Sequence, residues 1–425
     1  MSGRPWESGA ASGRWWWAAC SLAALLTAAL STLGPHRVWG AVAAAGYAAA
    51  AWVSPGAGGG DPARSRGRRS ASVAAGGAAL LPLVVLLVMG RAQLEVDVVA
   101  RSAERMLSTG SPYAPHPSAL ADFDPYLPGM AVFGVPEALF GAGPPTDPRL
   151  WTGAAFLGAL AACGRGLPSR WTSACPLVAL PLAVGGVDLP VVGLMCLGLT
   201  LAGRGRAGGA GVVLGVAAAL KWTAWPALPV CLVLLRTRGH RDTHRGRRPV
   251  ARCAAAMAVT ASALVLPFAA RDPGAFFTHV VAFPLGLTDT VSPAASPLPG
   301  HLLATQVPGG RAAAVLLLAA SALLMAGSLV VRPPGTESAA AWRLALGLLP
   351  ALSFMPASRF GYLVYPLVLA VLAAHRTPLQ PAPAVKRAPS GEPAPTRKGP
   401  RCPARSSSPM TSRRARAVSR PSSTP

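Results

Sequence analysis

Charge is scarce in this chain. Only 13% of its 425 residues are Asp, Glu, Lys or Arg, about half the share of a typical soluble domain. With 52% hydrophobic residues and a mean hydropathy of +0.43, it lacks the polar surface to enclose its apolar residues in one soluble core. Patterned cysteine is missing as well. Cys20, Cys163, Cys175, Cys196, Cys231 and Cys253 sit in or beside apolar runs and Cys402 lies near the end, with no CxxC pair and no His/Cys cluster. Such residues behave as small hydrophobes, so neither a disulfide framework nor a metal site is expected. Apolar/polar alternation is absent, which argues against strands and a barrel. No P-loop, Rossmann glycine motif or Gly-x-Ser-x-Gly elbow occurs in a suitable context.

What is present is a series of continuous apolar runs near the roughly 20 residues that span a bilayer. The net charge of +24 is not spread as in a nucleic-acid-binding protein, and no nucleic acid is expected as a partner. Eleven Lys/Arg crowd residues 376–425 with one acid, Glu392, and most others lie in short loops. That is the positive-inside pattern. Holding residues 64–69, 240–252 and the tail in the cytoplasm predicts spans over 15–33, 38–53, 73–90, 150–163, 171–184, 189–202, 253–268, 312–331, 341–355 and 360–374. The 28-residue run 208–235 has arginines on both flanks. Two short helices turning near Lys221 satisfy both, each rising about 20 Å and so not crossing. The total is about 11–13 membrane segments. Residues 1–14 and both termini are expected in the cytoplasm, 15–375 form the membrane domain, and 92–149 and 270–310 are extracytoplasmic loops. Residues 376–425, rich in Pro, Ser and Arg, are expected to be a disordered basic cytoplasmic tail.

Seven of the fifteen carboxylates fall within residues 95–147, which marks the first large loop as the working surface. Asp97, just beyond a span, suits a general base for an incoming hydroxyl, or is a solvated carboxylate near a helix end. Lys221 is the only lysine before the tail. A charge in an apolar segment is a functional candidate by default; it suits a phosphate or snorkels to an interface. Arg359 runs against the positive-inside trend, and binds either a substrate phosphate or outer-leaflet headgroups. Tyr113 and Tyr126 can stack on a sugar or anchor at the interface. Asp122 and Asp124 form a carboxylate pair of the kind used in glycoside hydrolysis or, as a weak signal without further ligands, for a metal, and Asp188 either serves a ligand or caps a helix. His279 and His301 have no partner spacing.

These residues carry a family resemblance. Asp97 is followed by an amphipathic stretch, then Gly110-Ser111-Pro112-Tyr113, then Tyr126-Leu127-Pro128. Gly185-Gly186-Val187-Asp188, Ala218-Ala219-Leu220-Lys221-Trp222-Thr223 and Arg359-Phe360-Gly361-Tyr362 with Tyr365-Pro366 complete the set. Together they resemble the polyprenol-phosphate-mannose-dependent glycosyltransferases of family 87, the last motif resembling a signature of one actinobacterial branch. At Asp188 the family often has an amide. The resemblance implies an all-α, polytopic transmembrane helical bundle of GT-C type with a large extracytoplasmic loop. It implies transfer of a sugar, with mannose expected, from a polyprenyl-phosphate donor to a glycan or lipid acceptor of the cell envelope, without cofactor or metal. Asp97 maps to the essential acid of the first loop. Lys221, Arg359, Tyr113, Tyr126, Asp124 and Asp188 are the expected substrate-binding residues. A transporter or lipid flippase, which favours internal inverted repeats, and a non-catalytic membrane scaffold are the alternatives.

Overall fold

The computed structural model describes residues 10–54, 61–164, 170–239, 247–290 and 292–376. Most of the expected N-terminal segment and the basic tail from residue 377 onward lie outside the described residues. The described residues are helical, with no strand among them and one isolated β-bridge, Ala295 to Ser358. Three helical stretches, Ser65–Val88, Arg248–Arg271 and Gly310–Val331, are long and apolar enough to cross a membrane by length and composition.

Helices α1 (Ala10–Leu30) and α2 (Gly34–Val53) form an antiparallel hairpin. They close so tightly that a Cβ on Gly40 would lie 2.5 Å from the Ala24 carbonyl oxygen. Next, α3 (Asp61–Ala75), a π-turn (Gly76–Leu80) and α4 (Leu81–Val88) follow without a break. The expected span 73–90 thus starts earlier, with arginines 66, 68 and 69 in helix rather than loop. Arginine is a good helix former, and these side chains are exposed, so their heads reach water from a helical backbone. The π-turn loosens the backbone ladder. The buried Trp39 indole answers it by donating to the Ala78 carbonyl at 2.8 Å.

The large loop carries α5 (Leu94–Thr109) and the short α6 (Val135–Phe140). Val96, Val99 and Ala103 form the buried stripe of α5. Then come α7 (Pro148–Cys163), α8 (Arg170–Ala174), α9 (Pro176–Val184) and α10 (Asp188–Gly203). Helices α11 (Ala207–Leu220) and α12 (Ala227–Gly239) occupy the arginine-flanked run. The chain reverses between them at Lys221, as the two-helix reading expects. Leu214 of α11 and Cys231 of α12 both meet Gly198 of α10, so α12 doubles back beside α11. Helix α13 (Arg248–Arg271) runs parallel to α11. Gly211 and Gly215 bring the two backbones together, facing the carbonyls of Cys253 and Met257; small residues four apart allow such an approach. Helices α14 (Pro273–Phe277) and α15 (Pro299–Gln306) lie in the second loop region, and α16 (Gly310–Val331), α17 (Glu337–Phe354) and α18 (Val364–Arg376) complete the bundle.

A sharp packing test sits where α2 crosses the π-turn. A Cβ on Gly77 would lie 2.5 Å from the Gly46 Cα, whereas one on its neighbour Gly76 meets nothing within 4 Å. Gly77→Ala should force the helices apart and cost about 1–3 kcal/mol, the usual range for overpacking. Gly76→Ala should be near neutral. Thermal unfolding of the two variants in detergent checks this; equal melting temperatures would mean the crossing is looser than described.

Candidate active site

Lys221 ends α11 in an extended conformation, and the Trp222–Ala224 turn redirects the chain. Pro226, which has no N–H to place, precedes α12. The loop segment Pro125-Tyr126-Leu127-Pro128-Gly129 docks on this tip. The Leu127 N–H donates to the Leu220 carbonyl at 3.2 Å, satisfying one of the orphan carbonyls that end a helix. Gly129 lies so near that a Cβ would come 2.8 Å from the Ala219 carbonyl oxygen.

At the tip the Lys221 ammonium donates to Asp188 Oδ1 at 2.6 Å. The Tyr365 hydroxyl donates to the same oxygen at 2.6 Å. That proton being spent, the Thr223 hydroxyl supplies the one in its own 2.6 Å contact with Tyr365. The ammonium also lies 5.4 Å from the centre of the Tyr126 ring and 4.8 Å from that of Tyr362, a cation–π arrangement on two sides. Asp188 is the first residue of α10, where the helix dipole favours a negative charge. It is not the cap expected as one reading: Val187 holds that position, and the carboxylate is turned to Lys221 and Tyr365. The turn before it depends on Gly185, at φ +111°, where a Cβ would strike Val96 of α5. Only glycine fits both that backbone and that contact.

A second ion pair, Arg359 with Glu95, stands beside the first. The Tyr362 N–H donates to the Arg359 carbonyl at 3.0 Å, so one short segment before and into α18 delivers Arg359 to Glu95, Tyr362 to Lys221 and Tyr365 to Asp188. Four of the chain's five tyrosines, at 113, 126, 362 and 365, belong to this region.

Of the expected site residues, Lys221, Asp188, Tyr126 and Arg359 are brought together. Asp97 is not among them. It is exposed on the opposite side of α5 from Glu95, and Glu95, two residues earlier, is the acid that meets Arg359. In a helix, residues two apart face roughly opposite ways. Period 3.6 groups Glu95 with Val98, Val99 and Ser102 on the packed side, and Asp97 with Arg101, Glu104 and Ser108 on the polar side. That phase was the available signal for Glu95. The charge of Asp97 falls instead on Glu137, whose carboxyl is raised by burial and then by Asp147 and Asp97.

Tyr113 and Asp124 are both buried, and their polar groups are engaged within the protein. The Tyr113 hydroxyl donates to the Tyr126 carbonyl at 2.9 Å. Asp124 accepts from Ser102 Oγ at 2.6 Å and from the Tyr126 N–H at 3.0 Å. Its own N–H donates to His279 Nδ1 at 3.0 Å. Nδ1 is therefore unprotonated, and the Nε2–H donates to the Ala114 carbonyl at 2.8 Å. His279 thus acquires the partners its sequence position did not reveal, and burial lowers its pKa. These residues form the frame that holds Tyr126 over Lys221. His301 stands apart, against the Pro356 carbonyl.

The fold and site define a helical membrane protein with paired charges gathered at the loop end of its bundle. The sequence profile of glycosyltransferase family 87 matches residues 125–356, more than half of the chain, and the chain belongs to that family. Two crystal structures of ArnT from Cupriavidus metallidurans, one bound to undecaprenyl phosphate and one in the apo state, are similar at 19% identity with TM-scores of 0.43 and 0.45. Each similarity covers 70% of this chain and 58% of the other, so the chain spans less than two thirds of the length of those structures. No curated protein matches it.

Two predictions follow from this geometry. The Lys221 and Asp188 side chains are only 13% and 12% exposed. Asp188→Ala strands the ammonium, although the Tyr365 hydroxyl can turn its proton to Thr223, and should cost about 3–5 kcal/mol. Lys221→Met in the same protein should recover much of that loss, because it removes the stranded charge. A double-mutant cycle on unfolding that found additive losses would refute the pairing. Burial pushes Asp124 from 3.8 up to about 7, against the pull of Ser102 and the Tyr126 N–H. Between those two values the folded protein holds a proton that the unfolded chain has released, so stability should fall as pH rises from about 4 to 7 and level off above. Asp124→Asn should flatten that slope in thermal melts taken from pH 4.5 to 8; an unchanged slope would assign it to other groups.

Proposed function

We propose that this family member transfers a sugar, mannose, from a polyprenyl-phosphate donor to a glycan or lipid acceptor of the cell envelope at the outer face of the membrane. The observation that carries the reading is the delivery of Arg359, Tyr362 and Tyr365 by one segment onto Glu95, Lys221 and Asp188. Two cations thus stand together at the loop end, where a lipid-linked phosphate can reach them from the bilayer. In the proposed reaction Asp97 takes the proton of the acceptor hydroxyl. The freed oxygen attacks the anomeric carbon, and the bond from that carbon to the phosphate oxygen breaks. The electron pair leaves on polyprenyl phosphate, whose charge Lys221 and Arg359 stabilise, and the anomeric configuration inverts. Asp97 is exposed and no described cation pairs with it, and because it faces away from Glu95 and Arg359 this role requires α5 to turn toward the bound donor. In this reading the protein is multi-pass, residues 92–149 and 270–310 are extracytoplasmic, and 1–14 and 376–425 are cytoplasmic.

The test is transfer of radiolabelled mannose from polyprenyl-phosphate mannose to cell-envelope acceptors by the protein in liposomes. Asp97→Asn should lower the rate by about 10²–10⁴-fold, the usual contribution of a general base. Retention of full transfer by Asp97→Asn with its loss in Glu95→Gln would move the base to Glu95. Absence of transfer by the wild-type protein from any polyprenyl-phosphate sugar would overturn the reading. Cysteine labelling from either side checks the topology: a cysteine beside Asp97 should react only from outside.

A further inference from the structure

The tyrosines gathered at this site are not equivalent. Tyr113 donates its hydroxyl proton to the Tyr126 carbonyl and Tyr365 donates its own to Asp188, so both are spent inside the protein. The hydroxyls of Tyr126 and Tyr362 have no hydrogen-bond partner among the described residues; the hydrogen bonds of these two residues run through their backbone atoms. Neither hydroxyl is sealed from its surroundings, because the sealed side-chain atoms without a partner are His36 Nε2, Glu95 Oε2 and Ser358 Oγ. Tyr126 is nevertheless only 5% exposed. Its hydroxyl therefore opens onto a confined space, where a polar group without a partner marks a place for a polar ligand.

These are also the two tyrosines whose rings face the Lys221 ammonium, at 5.4 Å and 4.8 Å. A phenol hydroxyl lies half a ring beyond the ring centre, so both stand within reach of one small ligand held by the ammonium. Tyr362 addresses the second cation as well. It interacts electrostatically with Arg359 and with Lys221, and its N–H holds the Arg359 carbonyl. The ammonium keeps N–H groups beyond the one given to Asp188. Spare N–H and O–H donors around one point suit an oxyanion, because hydrogen bonds to an ionised acceptor are about twice as strong as neutral ones. A cation is disfavoured by the ammonium itself.

We propose that the Tyr126 and Tyr362 hydroxyls are ligands of the donor phosphate, completing with Lys221 a cradle for its non-bridging oxygens. The inference rests on the reading of the donor as a lipid-phosphate sugar. It adds neutral donors to the cations of that reading, and these hold the phosphate without adding charge to the site.

The experiment compares lipids of one chain length on the full-length protein in nanodiscs by native mass spectrometry: polyprenol, polyprenyl phosphate and polyprenyl-phosphate mannose. Tyr126→Phe and Tyr362→Phe remove the hydroxyls and keep the rings over the ammonium. Each should weaken binding of both phosphate lipids by about 10–100-fold, the worth of a hydrogen bond to a charged group, and leave polyprenol binding unchanged. Thermal unfolding like that of the wild type reports that the variants are folded. Wild-type affinity of both variants for both phosphate lipids would show that the hydroxyls meet only water. Weakening confined to the mannose lipid would assign them to the sugar. Either result overturns the phosphate cradle while leaving the donor reading intact. A wild-type protein that binds polyprenol as tightly as the phosphate lipids would overturn the donor reading and the cradle with it.

Discussion

A single ammonium at a chain reversal organises the loop end of this bundle. Lys221 cannot remain buried among apolar helices without a counter-charge, because an unpaired charge at such a place is far costlier than a paired one. Asp188 answers it at 2.6 Å, and that contact fixes the start of α10 against the tip between α11 and α12. The remaining neighbours follow from it. Tyr365 needs Asp188 as acceptor, Tyr126 and Tyr362 supply their ring faces, and the segment bearing Tyr362 brings Arg359 to Glu95. Four regions far apart in the chain thus share one electrostatic anchor.

How much of this could be read in advance depended on whether the signal was local. The reversal at Lys221 was legible, because arginine on both flanks of a 28-residue apolar run conflicts with a single crossing. Lys221 and Arg359 were legible as charges out of place. Asp188 was visible as an acid opening a helix, but its partners lie 33 and 177 residues away, and nothing local names them. Asp97 and Glu95 show a different limit. Both sit in the first turn of an amphipathic helix, and which one faces the cations depends on helical phase and on how the loop docks. Tyr113 and Asp124 belong to a recognisable proline-rich motif. A motif without periodicity does not reveal which side is inward, and the Asp124 contact to His279 spans 155 residues.

The site has two layers of different character. Behind, Tyr113, Asp124, Ser102 and His279 form a buried network in which both hydrogen bonds of the His279 ring have a defined direction. Nδ1 of His279 must accept, so an imidazolium there would lose the Asp124 N–H contact. Such a network is favourable only when every member is satisfied, and it makes a stiff support for the backbone of Tyr126. In front, the paired charges keep capacity in reserve. The ammonium has three donors and spends one hydrogen bond on Asp188, while a guanidinium has five.

That reserve bears on how a phosphodiester would be held and released. Two cations and two carboxylates leave the front layer with no net charge, whereas the amide common in the family at the Asp188 position would leave it positive. A positive site binds a lipid phosphate strongly both before and after the sugar is lost, and such uniform binding does not accelerate the chemical step. With Asp188 the phosphate would instead meet oriented N–H donors whose charge is already balanced. Its oxygens can replace the tyrosine faces at Lys221 without breaking the ion pair beneath. The carboxylate would then hold the ammonium in position while limiting the grip on the departing lipid phosphate, the anionic product of the proposed reaction.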